Sequence, residues 1–143
     1  MVLATISFFA LALFGLGALS VATDTDIIAV PGLGQAPGAI GMAVAVAVFA
    51  FTLWSALRRD RPSYGATVTI ALLTALAHLV IVWLGVLLGA GFVIATSVAG
   101  DLVRGGASAV LLLAGLVASW GGIALRRTRA SHPRWPWERD EDE

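Results

Sequence analysis

Four apolar stretches, each long enough to cross a bilayer as a helix, constrain this chain more than any other feature. They cover about residues 2–22, 39–57, 66–88 and 105–125, and none contains a charged residue. A helix needs roughly 20 apolar residues to span the hydrocarbon core. The chain is 59% hydrophobic, whereas soluble domains are roughly 45–50% apolar. We therefore expect an all-α, polytopic membrane protein with a four-helix transmembrane bundle over residues 1–125.

The charged residues between these stretches indicate the orientation of the bundle. Arginines follow the second and the fourth stretch: Arg58, Arg59, Arg61, Arg126, Arg127, Arg129, Arg134 and Arg139. The other two connections hold Asp24, Asp26 and Asp101, with Arg104 as their one basic residue. Cytoplasmic loops of membrane proteins carry an excess of Arg and Lys. We expect both termini in the cytoplasm and the 23–38 and 89–105 connections outside.

The first stretch has a second interpretation. It ends in ALSVA, where Ser20 and Ala22 have the small-residue spacing of a signal-peptidase site. Cleavage would leave three helices in the same orientation. No basic residue precedes the apolar run, and the run is long for a signal peptide. We expect residues 1–22 to stay as a helix.

Small and hydroxyl residues predict where the helices touch. In lipid, helices associate through close backbone approach and a few hydrogen bonds. At 100° per residue, two helices each align such residues along one face. The third aligns Thr67, Ala71, Thr74, His78, Gly85 and Gly89; the fourth aligns Ser108, Gly115, Ser119 and Gly122. We expect these two stripes to be packing surfaces, with packing against each other as one arrangement.

His78 is a titratable residue inside an apolar stretch, LTALAHLVIVW. An intramembrane ionisable residue is a functional-site hypothesis by default. A proton relay needs a second titratable group, and no Asp, Glu or other His lies within the four stretches. We expect a neutral histidine that hydrogen-bonds within the bundle, with Thr74 as a candidate partner. The alternative is a role in transport, proton handling or cofactor ligation.

The terminal segment, residues 126–143, combines arginines, two tryptophans and an acidic end. Its arginines can meet anionic headgroups, and Trp135 and Trp137 can lie at the interface. We expect a disordered cytoplasmic tail that anchors at the membrane surface, with its acidic end in solvent. The alternative is a docking peptide in which Trp135 and Trp137 fill a pocket of a partner.

The composition excludes several classes of function. Nine basic and nine acidic residues cancel and give no basic surface for nucleic acid. The chain has no cysteine and no GxSxG, Walker or HExxH motif. Asp24 and Asp26 are two possible ligands of a hard cation, but no third carboxylate or EF-hand pattern accompanies them. We expect no enzyme, no cofactor and no metal site.

The remaining classes are non-catalytic. The first is an accessory, scaffold or assembly partner in a bacterial cell envelope. The alternative is a homo-oligomeric channel or small transporter, including the hole-forming type, because four helices are few for a solitary transport bundle. The expected partners are the lipid bilayer and either another membrane protein or further copies of this chain.

Overall fold

A computed structural model describes residues 1–24, 30, 32–59 and 63–130 of the chain, with side chains described as far as Thr128. It contains five helices: α1 (Val2–Thr23), α2 (Ala36–Leu57), α3 (Ala66–Ala90), α4 (Phe92–Arg104) and α5 (Ala107–Ala130). Four of them, α1, α2, α3 and α5, are long and apolar enough to cross a membrane. The expected all-α architecture with four membrane-spanning helices is therefore confirmed.

Local sequence signals account for several helix ends. Pro37 lies in the first turn of α2, where its fixed φ suits the helix and its missing N–H costs nothing. This helix begins at Ala36, three residues before the expected start at 39. α1 ends at Asp24, which has a φ of 50°. α3 ends at Gly91, whose φ of +88° lies in the region that favours glycine.

The last helix is longer than its apolar stretch. α5 continues to Ala130, whereas the sequence predicts an end at 125 and a charged tail from 126 onward. Arginine is a good helix former, and the next proline along the chain is Pro133. Residues 126–130 therefore belong to the helix, and residues 131–143 lie outside the described residues.

α4 occupies a segment in which the sequence predicts only a connection, residues 89–105. It has 13 residues and is about 20 Å long at 1.5 Å per residue, shorter than a hydrocarbon core of about 30 Å. Gly91 and Gly106, with φ of +88° and +90°, separate it from its neighbours. The helix packs mainly on α3 and buries Ala95 and Leu102.

α3 is the central helix of the bundle. Its most extensive contacts are with α2 and α5, and α1 packs mainly against α5. The α1–α5 pair is antiparallel, because Gly15 lies beside Val110 and Gly122 lies beside Ala4. The stacked rings of Phe8 and Phe49, 4.5 Å apart, join α1 to α2. The order around the bundle is thus α2, α3, α5 and α1.

The arginines that follow α2 and those in the last turns of α5 lie at one end of this bundle. The guanidinium of Arg127, in α5, lies 4.8 Å from the ring centre of Tyr64, just before α3. Arg58, which follows α2, and Arg126 line a common cleft with Met1. We call this the arginine end; the end of α1 and the start of α5 lie at the opposite end.

Candidate intramembrane site and arginine cleft

His78 lies about 18 Å along α3 from Ala66 at 1.5 Å per residue, and it is 3% exposed. Its ring faces Gly41 of α2. A Cβ atom at Gly41 would lie 3.2 Å from His78 Cδ2 and 2.7 Å from Val82 Cγ2. The missing side chain of Gly41 therefore provides the space into which the imidazole packs.

Hydrogen bonding around His78 differs from the sequence expectation. The Thr74 hydroxyl donates to the carbonyl oxygen of Ile70 at 2.8 Å, one turn earlier in the same helix. Within the described part of the chain, the His78 side chain makes no hydrogen bond, and the Thr74–His78 pair that we considered is not formed. Packing against α2, rather than a polar partner on a neighbouring helix, holds the ring.

Several other hydroxyl groups in the spans donate to backbone carbonyls three or four residues earlier in the chain. Ser119 donates to the carbonyl of Gly115 at 2.6 Å, and Thr52 donates to that of Val48 at 2.7 Å. Thr67 donates to the carbonyl of Tyr64, just before α3, at 2.6 Å. None of these hydroxyls bridges to His78, so they do not connect it to either end of the bundle.

The two predicted stripes meet at Gly115 and Ala71. A Cβ atom at Gly115 of α5 would lie 3.2 Å from Ala71 Cβ of α3, so the backbones approach closely there. Further along α3, Gly85 lies against Pro37, and Gly89 lies against Leu33.

One more residue of the α5 stripe faces two other helices. Gly122 lies against Ala4 of α1 and Leu53 of α2. Ser119 is fully buried, and Ser108 is half-buried near the start of α5. The candidate stripe residues are thus shared among several interfaces of the bundle.

Sequence reasoning did not single out the α2 surface that receives His78. Its buried residues include Pro37, Gly41, Ala45, Phe49 and Leu53, which recur every four residues. Small residues four apart are the pattern of close helix contact in membranes, so Gly41 and Ala45 carried the signal that would have identified this surface.

A cleft opens at the arginine end between α1, α2 and α5. Its volume is about 990 Å³, and its described lining is Met1, Val2, Leu3, Ala4, Trp54, Leu57, Arg58, Gly122, Leu125 and Arg126. The guanidinium of Arg58 lies over the Trp54 ring, 4.6 Å from its centre. The cleft thus combines two cations and an indole with aliphatic walls.

Two further sequence predictions concern the tail tryptophans and metal binding. Trp135 and Trp137, the candidate anchor or docking residues, lie outside the described residues. Among the residues that the structure describes, no three His, Cys, Asp or Glu side chains lie close enough to hold a metal ion.

Comparison with known proteins identifies the family. The model of a family of unknown function (DUF6121) matches residues 1–143. No curated protein and no solved structure matches the chain. Because the match covers the full sequence, the chain belongs to this family.

Proposed function

We propose that this member of the family is a non-catalytic membrane protein that acts as an accessory, scaffold or assembly partner of another membrane protein in a bacterial cell envelope. One observation carries the proposal: the buried hydroxyls of Thr74 and Ser119 bond to carbonyls of their own helices, and His78 packs against Gly41. The polar groups of the interior therefore support helix packing.

This interior gives little support to catalysis. Nucleophilic catalysis needs a hydroxyl within hydrogen-bond reach of a base that a third group orients. Ser119 and Thr74, both buried, donate instead to backbone carbonyls. His78 is the one His, Asp or Glu residue in the described parts of the four spans, and neither hydroxyl donates to it.

The outward surface of α1 supports a partner. α1 buries only Ala4, Phe8 and Ala12, while Phe9, Leu13 and Phe14 are exposed. Such a face can contact lipid or an apolar helix of another protein. The helix is joined to the bundle mainly through α5, which leaves most of its circumference available.

The proposed orientation places the arginine end in the cytoplasm, with both termini on that side. Reporters fused after Arg61 and at the carboxyl terminus should then behave as cytoplasmic, and reporters in the 30–36 loop and near Asp101 as external. An external signal from the carboxyl terminus would refute this orientation.

The accessory function is tested by purification from the native host in mild detergent, followed by mass spectrometry of the proteins that co-purify. The proposal predicts a membrane protein at a fixed stoichiometry. If the partner docks on α1, the variant Phe9→Ala plus Phe14→Ala should no longer co-purify with it. The matched control is Leu72→Ala plus Leu113→Ala, at exposed positions of α3 and α5. A pure homo-oligomer would refute the accessory function.

A channel or small transporter is the second candidate, and the position of His78 favours it. The side chain lies deep in α3 without a described hydrogen-bond partner, and intramembrane ionisable residues often mark ion or proton pathways. A flux of protons or ions in proteoliposomes that His78→Leu abolishes, with assembly unchanged, would establish this candidate.

A further inference from the structure

The cleft at the arginine end has the chemistry of a lipid headgroup site. We propose that it binds the phosphodiester of an anionic phospholipid through Arg58 and Arg126, with the start of an acyl chain along its aliphatic wall. The two arginines come from different helices, and they converge on one cavity between α1, α2 and α5.

The cationic side of the cleft suits a phosphate group. A guanidinium presents several N–H donors in a planar fork that matches phosphate oxygens, and such charge-assisted hydrogen bonds are among the strongest in proteins. Arg58 is held over the Trp54 ring at 4.6 Å, so part of its side-chain freedom is already lost before a ligand binds. The described lining contains no acidic residue that would compete for the arginines.

The apolar side of the cleft distinguishes a lipid from a soluble anion. Val2 and Leu3 are each 66% exposed, and Leu125 is 50% exposed, beside the arginines. Aliphatic side chains in this position pack favourably against hydrocarbon. A soluble phosphate would contact the arginines alone, whereas a phospholipid in the cleft contacts both the arginines and these side chains.

The location and size of the cleft agree with this occupant. It lies where three of the spanning helices begin or end, and headgroups and interfacial tryptophans occur at the ends of membrane-spanning helices. Its volume of about 990 Å³ is at the upper end of the roughly 300–1,000 Å³ of ligand pockets. Anionic lipids are attracted to arginine-rich membrane surfaces, and here the arginines border a cavity.

The test is lipid retention by the full chain, purified in an uncharged detergent and measured by native mass spectrometry. We expect one phosphatidylglycerol to stay bound under conditions that remove phosphatidylcholine. Arg58→Gln plus Arg126→Gln should weaken phosphatidylglycerol binding roughly tenfold, because two charge-assisted contacts are lost. If the double variant does not fold, each single variant should show a smaller loss of the same kind.

Arg59→Gln plus Arg127→Gln is the matched control. It removes the same charge from the same end of the bundle, at adjacent positions that do not line the cleft. Binding should change by no more than about twofold, since neither guanidinium borders the cleft and charges outside it act on the lipid only through screened, longer-range attraction. Equal losses in the two pairs would show a general charge effect and overturn the site, and so would retention unaffected by the first pair. Displacement of the lipid by soluble glycerol phosphate in excess would show a phosphate site and overturn the lipid assignment.

Discussion

α1 and α3 are both long helices of similar apolarity, yet they occupy different places in the bundle. Their most apolar windows have mean hydropathies of 2.3 and 2.5. α3 buries residues along its whole length, among them Thr67, Thr74 and His78. α1 buries three residues in its first half and presents most of its surface outward.

This difference shows that hydropathy identifies a membrane-spanning helix, whereas small residues at its contacts determine which helices pack against it. In lipid, burial of apolar surface does not draw helices together, so close packing decides. α3 meets small or compact residues on two sides, Gly41 on α2 and Gly115 on α5. On α1 the large residues Phe9 and Phe14 point outward, and the helix meets α5 where Ala4 lies against Gly122 and where Gly15 lies against Val110.

The largest effect is expected at the ring pair that joins α1 to α2. Phe8 is fully buried and stacks on Phe49 with centres 4.5 Å apart. Phe8→Ala should lower the free energy of unfolding by roughly 2–4 kcal/mol through the cavity it leaves. Phe14→Ala, at a position 78% exposed, should change it by no more than about 0.5 kcal/mol. Reversible unfolding in mixed micelles measures both, and equal losses would contradict the peripheral position of α1.

Adjacent glycines of α5 provide the second comparison. A Cβ atom at Gly122 would lie 3.1 Å from Ala4 Cβ, whereas nothing lies within 4 Å of a Cβ atom at Gly121. Gly122→Leu should therefore destabilise the bundle by roughly 1–3 kcal/mol through overpacking. Gly121→Leu should be neutral or slightly stabilising, because leucine is the better helix former. Thermal unfolding in detergent distinguishes them; a larger loss from Gly121→Leu would refute the α1–α5 contact.

The smallest effect is expected at His78. The side chain has no described hydrogen-bond partner, so His78→Leu removes no such bond and keeps a comparable volume beside Gly41. The unfolding free energy should fall by less than about 1.5 kcal/mol. A loss well above this value in the same unfolding assay would show that the imidazole makes a stabilising polar interaction.

The sequence predicts the spans well because their signal is local and strong. Twenty uncharged apolar residues leave few alternatives to a helix, and α1, α2, α3 and α5 match the four stretches to within a few residues, apart from the carboxyl end of α5. α4 was not predicted because it is too short to span and contains Asp101 and Arg104. Its contact with α3 is a tertiary feature that the local sequence does not specify.

The candidate sites were less predictable because they depend on which helices become neighbours. Periodicity places His78 and Thr74 on one face of α3, but it does not specify that Gly41 faces His78. The cleft is a stronger example, since Arg58 and Arg126 are far apart in sequence and line one cavity only after folding.

The central position of α3 is tested most directly by cysteine cross-linking in native membranes. The chain contains no cysteine, so any disulfide that forms within it joins the two introduced residues. A Cβ atom at Gly115 would lie 3.2 Å from Ala71 Cβ, close to the roughly 3.5–4.5 Å of a disulfide. Ala71→Cys plus Gly115→Cys should therefore cross-link within one chain under mild oxidation, and Leu72→Cys plus Leu113→Cys, at exposed positions of the same helices, should not. Efficient cross-linking of the second pair without the first would contradict the arrangement of α3 and α5.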